Sequence, residues 1–95
     1  MIINFEQIHN YFEPVVFEAV AKMSDSHPDF SAAMLADVAC VALNRLPARY
    51  VRHDVDMMFY LTESERRAID DSLQEALSFA FTFVGDRSGG RPGSV

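Results

Sequence analysis

The sequence is poor in cysteine, tryptophan and basic residues. Cys40 is its only cysteine, tryptophan is absent, and 8 basic residues stand against 14 acidic ones, which gives a formal net charge of −6. A single cysteine excludes an intramolecular disulfide and a zinc cluster of several thiolates, and it suits a reducing compartment. The acidic balance disfavours nonspecific nucleic-acid binding, which needs a broad basic face. Any anion site must therefore be local.

The sequence also lacks the segments that direct a chain to a membrane. No apolar run approaches the roughly 20 residues that cross a bilayer, and no signal-peptide pattern follows Met1. We therefore expect a soluble, cytoplasmic protein with no membrane partner. Its 95 residues fit one small domain, and a 49% apolar composition is enough for a core. Because short domains leave much of their surface in water, we also expect self-association.

Signals for catalysis and for metal binding are missing as well. The histidines, His9, His27 and His53, are not spaced to place two imidazoles on one helical face, so no metal site is predicted. The glycines lie towards the carboxyl terminus and not between a strand and a helix, so no phosphate-binding loop is predicted. Cys40 lies between core positions of a predicted helix and is interpreted as a small buried hydrophobe. We predict neither an enzyme nor a bound cofactor.

Helical periodicity dominates the rest of the sequence. Apolar residues from Phe5 to Met23 recur at three- and four-residue steps and predict a first helix, with a kink or a break at Pro14. A polar connection follows, in which Asp29 and Ser31 are candidate helix caps.

Two further helices are predicted after this connection. Pro47 is expected to end the second helix, whose buried stripe is Leu35, Val38, Ala39, Ala42, Leu43 and Leu46. A capping box of Thr62 and Glu65 starts the third helix, and Gly85 is expected to cap its end. The core stripe of the third helix is Ile69, Leu73, Ala76, Leu77, Ala80 and Phe81. Apolar surface on its other faces comes from Phe79, Phe83 and Val84.

The segment between the second and third helices has a different pattern. Residues 54–61 alternate with a period of two, and two interpretations stay open. The segment is either extended and pairs with its copy at a dimer interface, or it forms one more helical turn. The patterns together predict an all-α, mostly helical domain of three to four helices over residues 1–86, followed by a flexible tail over residues 87–95.

Cations concentrate in CVALNRLPARYVRHDVD, residues 40–56. The cationic side chains of this stretch are Arg45, Arg49, Arg52 and His53. They surround a proline and a tyrosine in a chain that is otherwise acidic, so this stretch is the natural candidate for a local anion site.

Part of this stretch resembles a known family signature. The run DVACVALNRLPARYV, which begins at Asp37, resembles that of the ComFB family, the late competence development proteins, in its aspartate, its ALN and its LPxxYV. The amino-terminal HNYFEPVVFEAV and the helical segment beginning at Thr62 are also similar to the family pattern. The sequence departs from it at Ala48, where a second proline is common, and in lacking the cysteine set of some members. No metal is therefore implied.

The resemblance implies a small, mostly helical homodimer, and several members of the family are receptors for cyclic dinucleotides, notably c-di-GMP and in some cases c-di-AMP. Such a ligand presents two phosphates and two purines. Arginine suits both, because its guanidinium donates paired hydrogen bonds and stacks on bases. The candidate ligand-binding residues are Asn44, Arg45, Arg49, Tyr50, Arg52, His53, Asp54 and Asp56.

Each candidate has an expected role and a structural alternative. The three arginines are expected to converge on one pocket, because the turn at Pro47 brings the later two back past the first. Tyr50 offers a ring for stacking. Asp54 or Asp56 would accept from the N1 and N2 donors of guanine, which favours c-di-GMP. Alternatively, Arg45 serves only the helix dipole, the other two arginines are solvated, and the tyrosine ring packs into the core.

The leading hypothesis is therefore a cytoplasmic cyclic dinucleotide receptor that forms a homodimer and signals through another protein. The alternative is a structural or adaptor dimer without a ligand, in which the aromatic helix end, Phe79, Phe81 and Phe83, binds a protein. Nucleic-acid binding is a third hypothesis, which the net charge of −6 disfavours.

Overall fold

The computed structural model describes residues 1–89, and over them it confirms a mostly helical domain. Its helices are α1 (Phe12–Met23), α2 (Ala32–Arg45), α3 (Val55–Tyr60) and α4 (Glu63–Gly89). A 3₁₀ turn, Ser24–Ser26, follows α1. Two short strands, β1 (His9–Asn10) and β2 (Tyr50–Val51), pair antiparallel, with His9 opposite Val51 and Asn10 opposite Tyr50.

The first helix begins later than its periodicity predicts. Phe5 and Ile8 are exposed in the segment ahead of α1, although their spacing places them on a helical face. Pro14 lies in the first turn of α1, where backbone N–H groups have no helical partner, so the proline removes no helical hydrogen bond. The predicted interruption is therefore the start of a helix and not a kink within a longer one.

The second helix confirms its predicted cap and its predicted end. The Ser31 hydroxyl accepts from the Met34 N–H at 3.1 Å, and α2 ends at Arg45, two residues before Pro47. The interpretation of Cys40 as a buried hydrophobe is wrong, since its side chain is exposed. One residue on a helix corresponds to a turn of about 100°, which carries this position beyond the edge of the buried stripe.

The last helix confirms its predicted start and continues past its predicted end. The Thr62 hydroxyl accepts from the Glu65 N–H at 3.1 Å, which confirms the Thr62 half of the capping box, and it donates to Glu65 Oε1 at 3.0 Å. The helix does not end at Gly85 but continues to Gly89, so the predicted glycine cap is wrong. A Cβ atom at position 85 would lie 3.1 Å from the ring of Phe30, so the glycine provides the space that this ring occupies.

Two further predictions concern the same end of α4. Val84, predicted to lie on another face, is buried in the core, whereas Phe79 and Phe83 remain partly exposed. The segment predicted as a flexible tail, residues 87–95, begins within α4, and residues 90–95 lie outside the described part of the chain.

The core lies where α4 packs across α2 and α1. Its buried side chains are Phe12, Val16, Val20, Val38, Ala39, Ala42, Leu46, Ala76, Leu77, Ala80, Phe81 and Val84. The imidazole of His27 stacks on the Phe81 ring at a centroid distance of 4.3 Å and extends this packing to the turn after α1. Full burial of one large apolar side chain stabilises the fold by about 1.5–3 kcal/mol, so this three-helix contact supplies most of the stability.

The alternating segment is helical and not extended. Residues 55–60 form α3, so the strand interpretation is wrong and the helical interpretation is correct. Met57 is buried, whereas Phe59 and Tyr60 are 79% and 81% exposed. Extended pairing occurs earlier, at Tyr50–Val51, because β1 supplies a backbone partner within the same chain.

Candidate functional site

A buried asparagine holds the segment that follows Pro47. The Oδ1 atom of Asn10 accepts from the Arg49 N–H at 3.0 Å and from the Phe12 N–H at 3.2 Å. In addition, the Tyr11 N–H donates to the Arg49 carbonyl at 2.6 Å. Because Asn10 is only 9% exposed, these bonds satisfy a polar group that would otherwise be costly to bury. The start of α1 therefore fixes the path of the chain at Arg49.

Arg49 lies beside a shallow depression on the surface of α4. The depression has a volume of about 130 Å³, and its lining residues are Phe12, Leu46, Pro47, Arg49, Ala68, Ile69 and Ser72. The depression holds a few atoms of a ligand, since one water molecule occupies roughly 30 Å³ in the liquid. Its lining is mostly apolar, and Arg49 is the charged residue in that lining.

The residues after Arg49 face solvent. Tyr50 is 70% exposed, so the alternative that its ring packs into the core is wrong. Arg52 and His53 are also exposed in the connection between β2 and α3. Tyr50 and Val51 are successive residues of β2 and point to opposite faces, the tyrosine into solvent and Val51 half-buried, and Arg52 lies in the bend that follows. We call residues 49–53 the cationic run.

Arg45 makes an ion pair with α4. Its Nε donates to Glu75 Oε1 and Oε2 at 2.9 and 3.0 Å, and its Nη2 donates to Glu75 Oε1 at 2.6 Å. Its guanidinium also covers the Phe79 ring, 3.9 Å from the ring centroid. These hydrogen bonds raise the pKa of Arg45 and lower the pKa of Glu75. The side chain therefore has specific partners beyond the helix dipole.

The carboxylate of Asp54 also has a partner. The His9 Nε2 lies 2.5 Å from Asp54 Oδ1, and the His9 Nδ1 lies 2.8 Å from the Gln7 carbonyl oxygen. The bond to the Gln7 carbonyl, followed by that to Asp54, raises the pKa of His9, because both acceptors favour the imidazolium. This contact joins β1 to the residue ahead of α3. Asp56 is half-buried in the first turn of α3.

Of the three arginines expected to converge on one pocket, Arg49 lines the depression, whereas Arg45 is paired with Glu75 and Arg52 is exposed after β2. The cationic run is continuous, and Arg45 contacts α4 about one helical turn from the depression beside Arg49, since Glu75 follows Ser72 by three residues. Asn44 is exposed on the last turn of α2. The Arg45 guanidinium is paired with Glu75, and the Asp54 carboxylate is paired with His9, so both groups already have partners within the protein.

Comparison with known proteins identifies the family of this chain. Residues 9–88 match the family model described as late competence development protein ComFB. The chain belongs to the ComFB family. The match extends from β1 into the last turn of α4 and includes every candidate residue. No curated protein and no solved structure gives a significant match.

Two further features of this ComFB chain concern membrane-spanning helices and a second surface groove. Over residues 1–89, no helix combines the length and the apolar character needed to cross a membrane. A wider groove of about 410 Å³ lies between α1 and α2, lined by Phe17, Val20, Ala21, Ser24, Ala32, Leu35, Ala36 and Ala39. This groove is apolar and contains none of the candidate residues.

Several residues that shape the candidate site are absent from the predicted set. Asn10 orders the cationic run, His9 binds Asp54, and Glu75 binds Arg45. Asn10 lies in the HNYFEPVVFEAV segment, so its place in the family resemblance was a signal available in the sequence. The other two contacts join residues 45 and 30 positions apart, and no local pattern identifies such pairs.

Proposed function

We propose that this ComFB protein is a cytoplasmic receptor for a cyclic dinucleotide, with c-di-GMP favoured, and that it acts through another protein and not by catalysis. The observation that carries the proposal is the cationic run, in which Asn10 holds the backbone of Arg49 and the side chains of Arg49, Tyr50 and Arg52 are exposed. Family membership supports it, because several members of the family bind such ligands. We propose that the receptor is a homodimer, as the family resemblance implies.

The cationic run offers the groups that this ligand requires. Arg49 would bind one phosphate at the mouth of the depression, which has room for a group of that size. Tyr50 would stack on a purine, a contact that contributes about 1–3 kcal/mol per base in single-strand binders. Arg52, exposed two residues after the tyrosine, would bind the second phosphate or cover the base.

Arg45 has a supporting role in this proposal. Its guanidinium is neutralised by Glu75 and rests on Phe79, so it contributes to the position of α2 and α4 behind the ligand and not to a direct phosphate contact. Asn44, one residue earlier and exposed, offers an amide to the ligand edge.

The carboxylates determine the proposed preference for guanine. Asp54 is hydrogen-bonded to His9, which leaves Asp56 as the acceptor for guanine N1 and N2. Adenine has no donors at these two positions, so c-di-AMP would lose this contact.

The signal would pass through α3, which follows the cationic run directly. Phe59 and Tyr60 are among the most exposed aromatic side chains of the described chain, and they suit a surface for a downstream protein. A ligand at residues 49–53 would shift the population of α3 positions by its differential affinity for them.

Calorimetric titration tests the proposal. Wild-type protein is titrated with c-di-GMP, c-di-AMP and GTP in the same buffer and salt. We expect saturable binding of micromolar or higher affinity to c-di-GMP and at least about tenfold weaker binding for Arg49→Ala, because a hydrogen bond to a charged group contributes 1.5–3 kcal/mol. Arg67→Ala is the matched control, since it removes an equal charge from an exposed pair with Glu63 on α4.

Three outcomes would contradict the receptor. These are no heat with any of the nucleotides, equal binding of GTP, or an equal loss of affinity in the Arg49 and Arg67 variants. Circular dichroism of each variant establishes that the fold is retained.

Exposed aromatic side chains favour one second function, a ligand-free adaptor. Phe59 and Tyr60 on α3 and Phe79 and Phe83 on α4 would then bind proteins directly. A cyclic dinucleotide raises the melting temperature of a receptor that binds it only in the native state, whereas an adaptor shows no shift.

A further inference from the structure

One row of side chains on α4 presents aromatic rings to solvent between two opposite charges. The α4 row consists of Glu75, Phe79, Phe83 and Arg87. Each member follows the previous one by four residues, so all four lie along one ridge of the helix. Phe79 and Phe83 are 39% and 38% exposed, although the solvent face of a helix normally carries polar residues.

The rings of the α4 row are held in place by cations. Phe79 and Phe83 stack at a centroid distance of 5.6 Å with 21° between their planes. Arg45 lies 3.9 Å from the Phe79 centroid, and Arg87 lies 5.1 Å from that of Phe83. Side chains that are already ordered lose little entropy on association, so this surface is preorganised for an interface.

The order of the α4 row makes it complementary to a reversed copy of itself. It reads acid, ring, ring, base along α4. When two copies meet antiparallel about a two-fold axis, Phe79 of each faces Phe83 of the other, and Glu75 of each faces Arg87 of the other. A parallel arrangement in register would place like charges opposite each other. The charge pattern therefore selects a second copy in one orientation.

We propose that two copies of this chain associate by packing their α4 rows antiparallel, with residues 79 and 83 in register across the two-fold axis. Ridges of residues spaced four apart pack together in the commonest class of helix contact. The inference rests on the homodimer assumed in the proposed function and names its interface. Arg45 connects this interface to the ligand site, because it covers Phe79 at the end of α2.

The first test removes the rings. Sedimentation equilibrium or light scattering over a concentration series gives the dimer Kd of the full chain. We expect Phe79→Ala with Phe83→Ala to weaken the dimer at least about tenfold, because buried aromatic side chains dominate interface energies. Phe59→Ala is the control, since it removes an exposed ring of α3 outside the row.

The second test addresses orientation by exchanging charges. Glu75→Arg and Arg87→Glu each place like charges opposite one another at both ends of a homodimer, and each is expected to dissociate several-fold more readily. The double variant Glu75→Arg with Arg87→Glu restores opposite charges at both ends of an antiparallel homodimer, so it is expected to regain near wild-type affinity. Since Glu75→Arg also releases Arg45, recovery in the double variant is the decisive readout. A parallel dimer would keep like charges opposite each other in the wild type and in all three variants.

A monomeric wild-type chain at high micromolar concentration would overturn the proposal. So would a dimer that ignores the ring substitutions, which indicates another surface, or a double charge variant that dissociates like the single variants, which indicates another orientation. These measurements use no nucleotide, so a failure of the receptor and a failure of the α4 interface are distinguishable.

Discussion

The three-helix core and the segment from residue 47 to residue 61 are held together in different ways. In the core, α1, α2 and α4 share a continuous set of buried apolar side chains. In the segment, Met57 is buried, and polar contacts to the start of the chain include the two-residue sheet, the bonds of Arg49 to Asn10 and Tyr11, and the His9–Asp54 contact. Most of the candidate ligand residues lie in the second region, whereas Asn44 and Arg45 lie on α2, an arrangement in keeping with a rigid scaffold that positions loops. Perturbations should therefore divide into those that unfold the domain and those that release the segment.

The largest expected effect lies in the core. Leu77 is 1% exposed on the face of α4 that packs in the core. Leu77→Ala should destabilise the whole domain by about 2–5 kcal/mol, because it removes buried methyl groups and leaves a cavity. Chemical denaturation followed by circular dichroism measures this change. Leu73→Ala is the control, since Leu73 is only partly buried against the core, and it should cost less than Leu77→Ala. A loss below about 1 kcal/mol for Leu77→Ala would contradict the assigned core.

A smaller effect is expected where the segment joins the core. Asn10→Ala leaves the Arg49 and Phe12 N–H groups without their acceptor and should cost about 1–3 kcal/mol. In this variant the backbone amide of Arg49 should also exchange its hydrogen faster than in the wild type, and faster than amides in the middle of α2. Native-state hydrogen exchange measures both effects. Asn44→Ala is the control, since the side-chain amide of Asn44 is exposed on α2.

Equal protection of Arg49 in the wild type and in the Asn10 variant would contradict this account. The segment from residue 47 to residue 61 would then be held to the core by contacts other than those of Asn10.

The smallest expected effect depends on pH. The folded protein raises the pKa of His9 above its ordinary value of 6.5, so the imidazolium stabilises the fold fully below that value. This stabilisation is lost as the pH rises through the raised pKa, with Asp54 and Glu13 as the facing carboxylates. Relative to His9→Gln, the wild type should therefore gain stability as the pH falls from 8.5 to 6.

Denaturation midpoints of both proteins across this range measure the difference. A gap that stays constant with pH would show that His9 does not titrate against Asp54. The His53→Gln variant serves as a control, because it removes an exposed imidazole from the connection ahead of α3.

Local pattern was a good guide wherever one helix alone decided the outcome. The Ser31 cap, the Thr62–Glu65 capping box and the apolar stripes follow from spacings of three and four residues. The family signature also lies in contiguous residues, so it was readable in the sequence.

The same patterns were misleading where a distant neighbour intervenes. Gly85 resembles a helix cap, but α4 continues through it and leaves space for Phe30. The alternation over residues 54–61 resembles a strand, but the strand forms at Tyr50–Val51, where β1 supplies a partner. Spacing along the chain carries no information on which remote side chain fills a gap or pairs a backbone.

The sequence by its own chemistry specified four features: helical segments with apolar faces, their caps, an acidic surface with one local group of cations, and membership in the ComFB family. Tertiary structure decided the partners of those cations. It placed Arg45 against Glu75, Asp54 against His9, and the backbone of Arg49 against Asn10, and it left the Tyr50 ring in solvent. Helices form from interactions within a few residues, whereas a site assembled from several elements depends on how those elements pack.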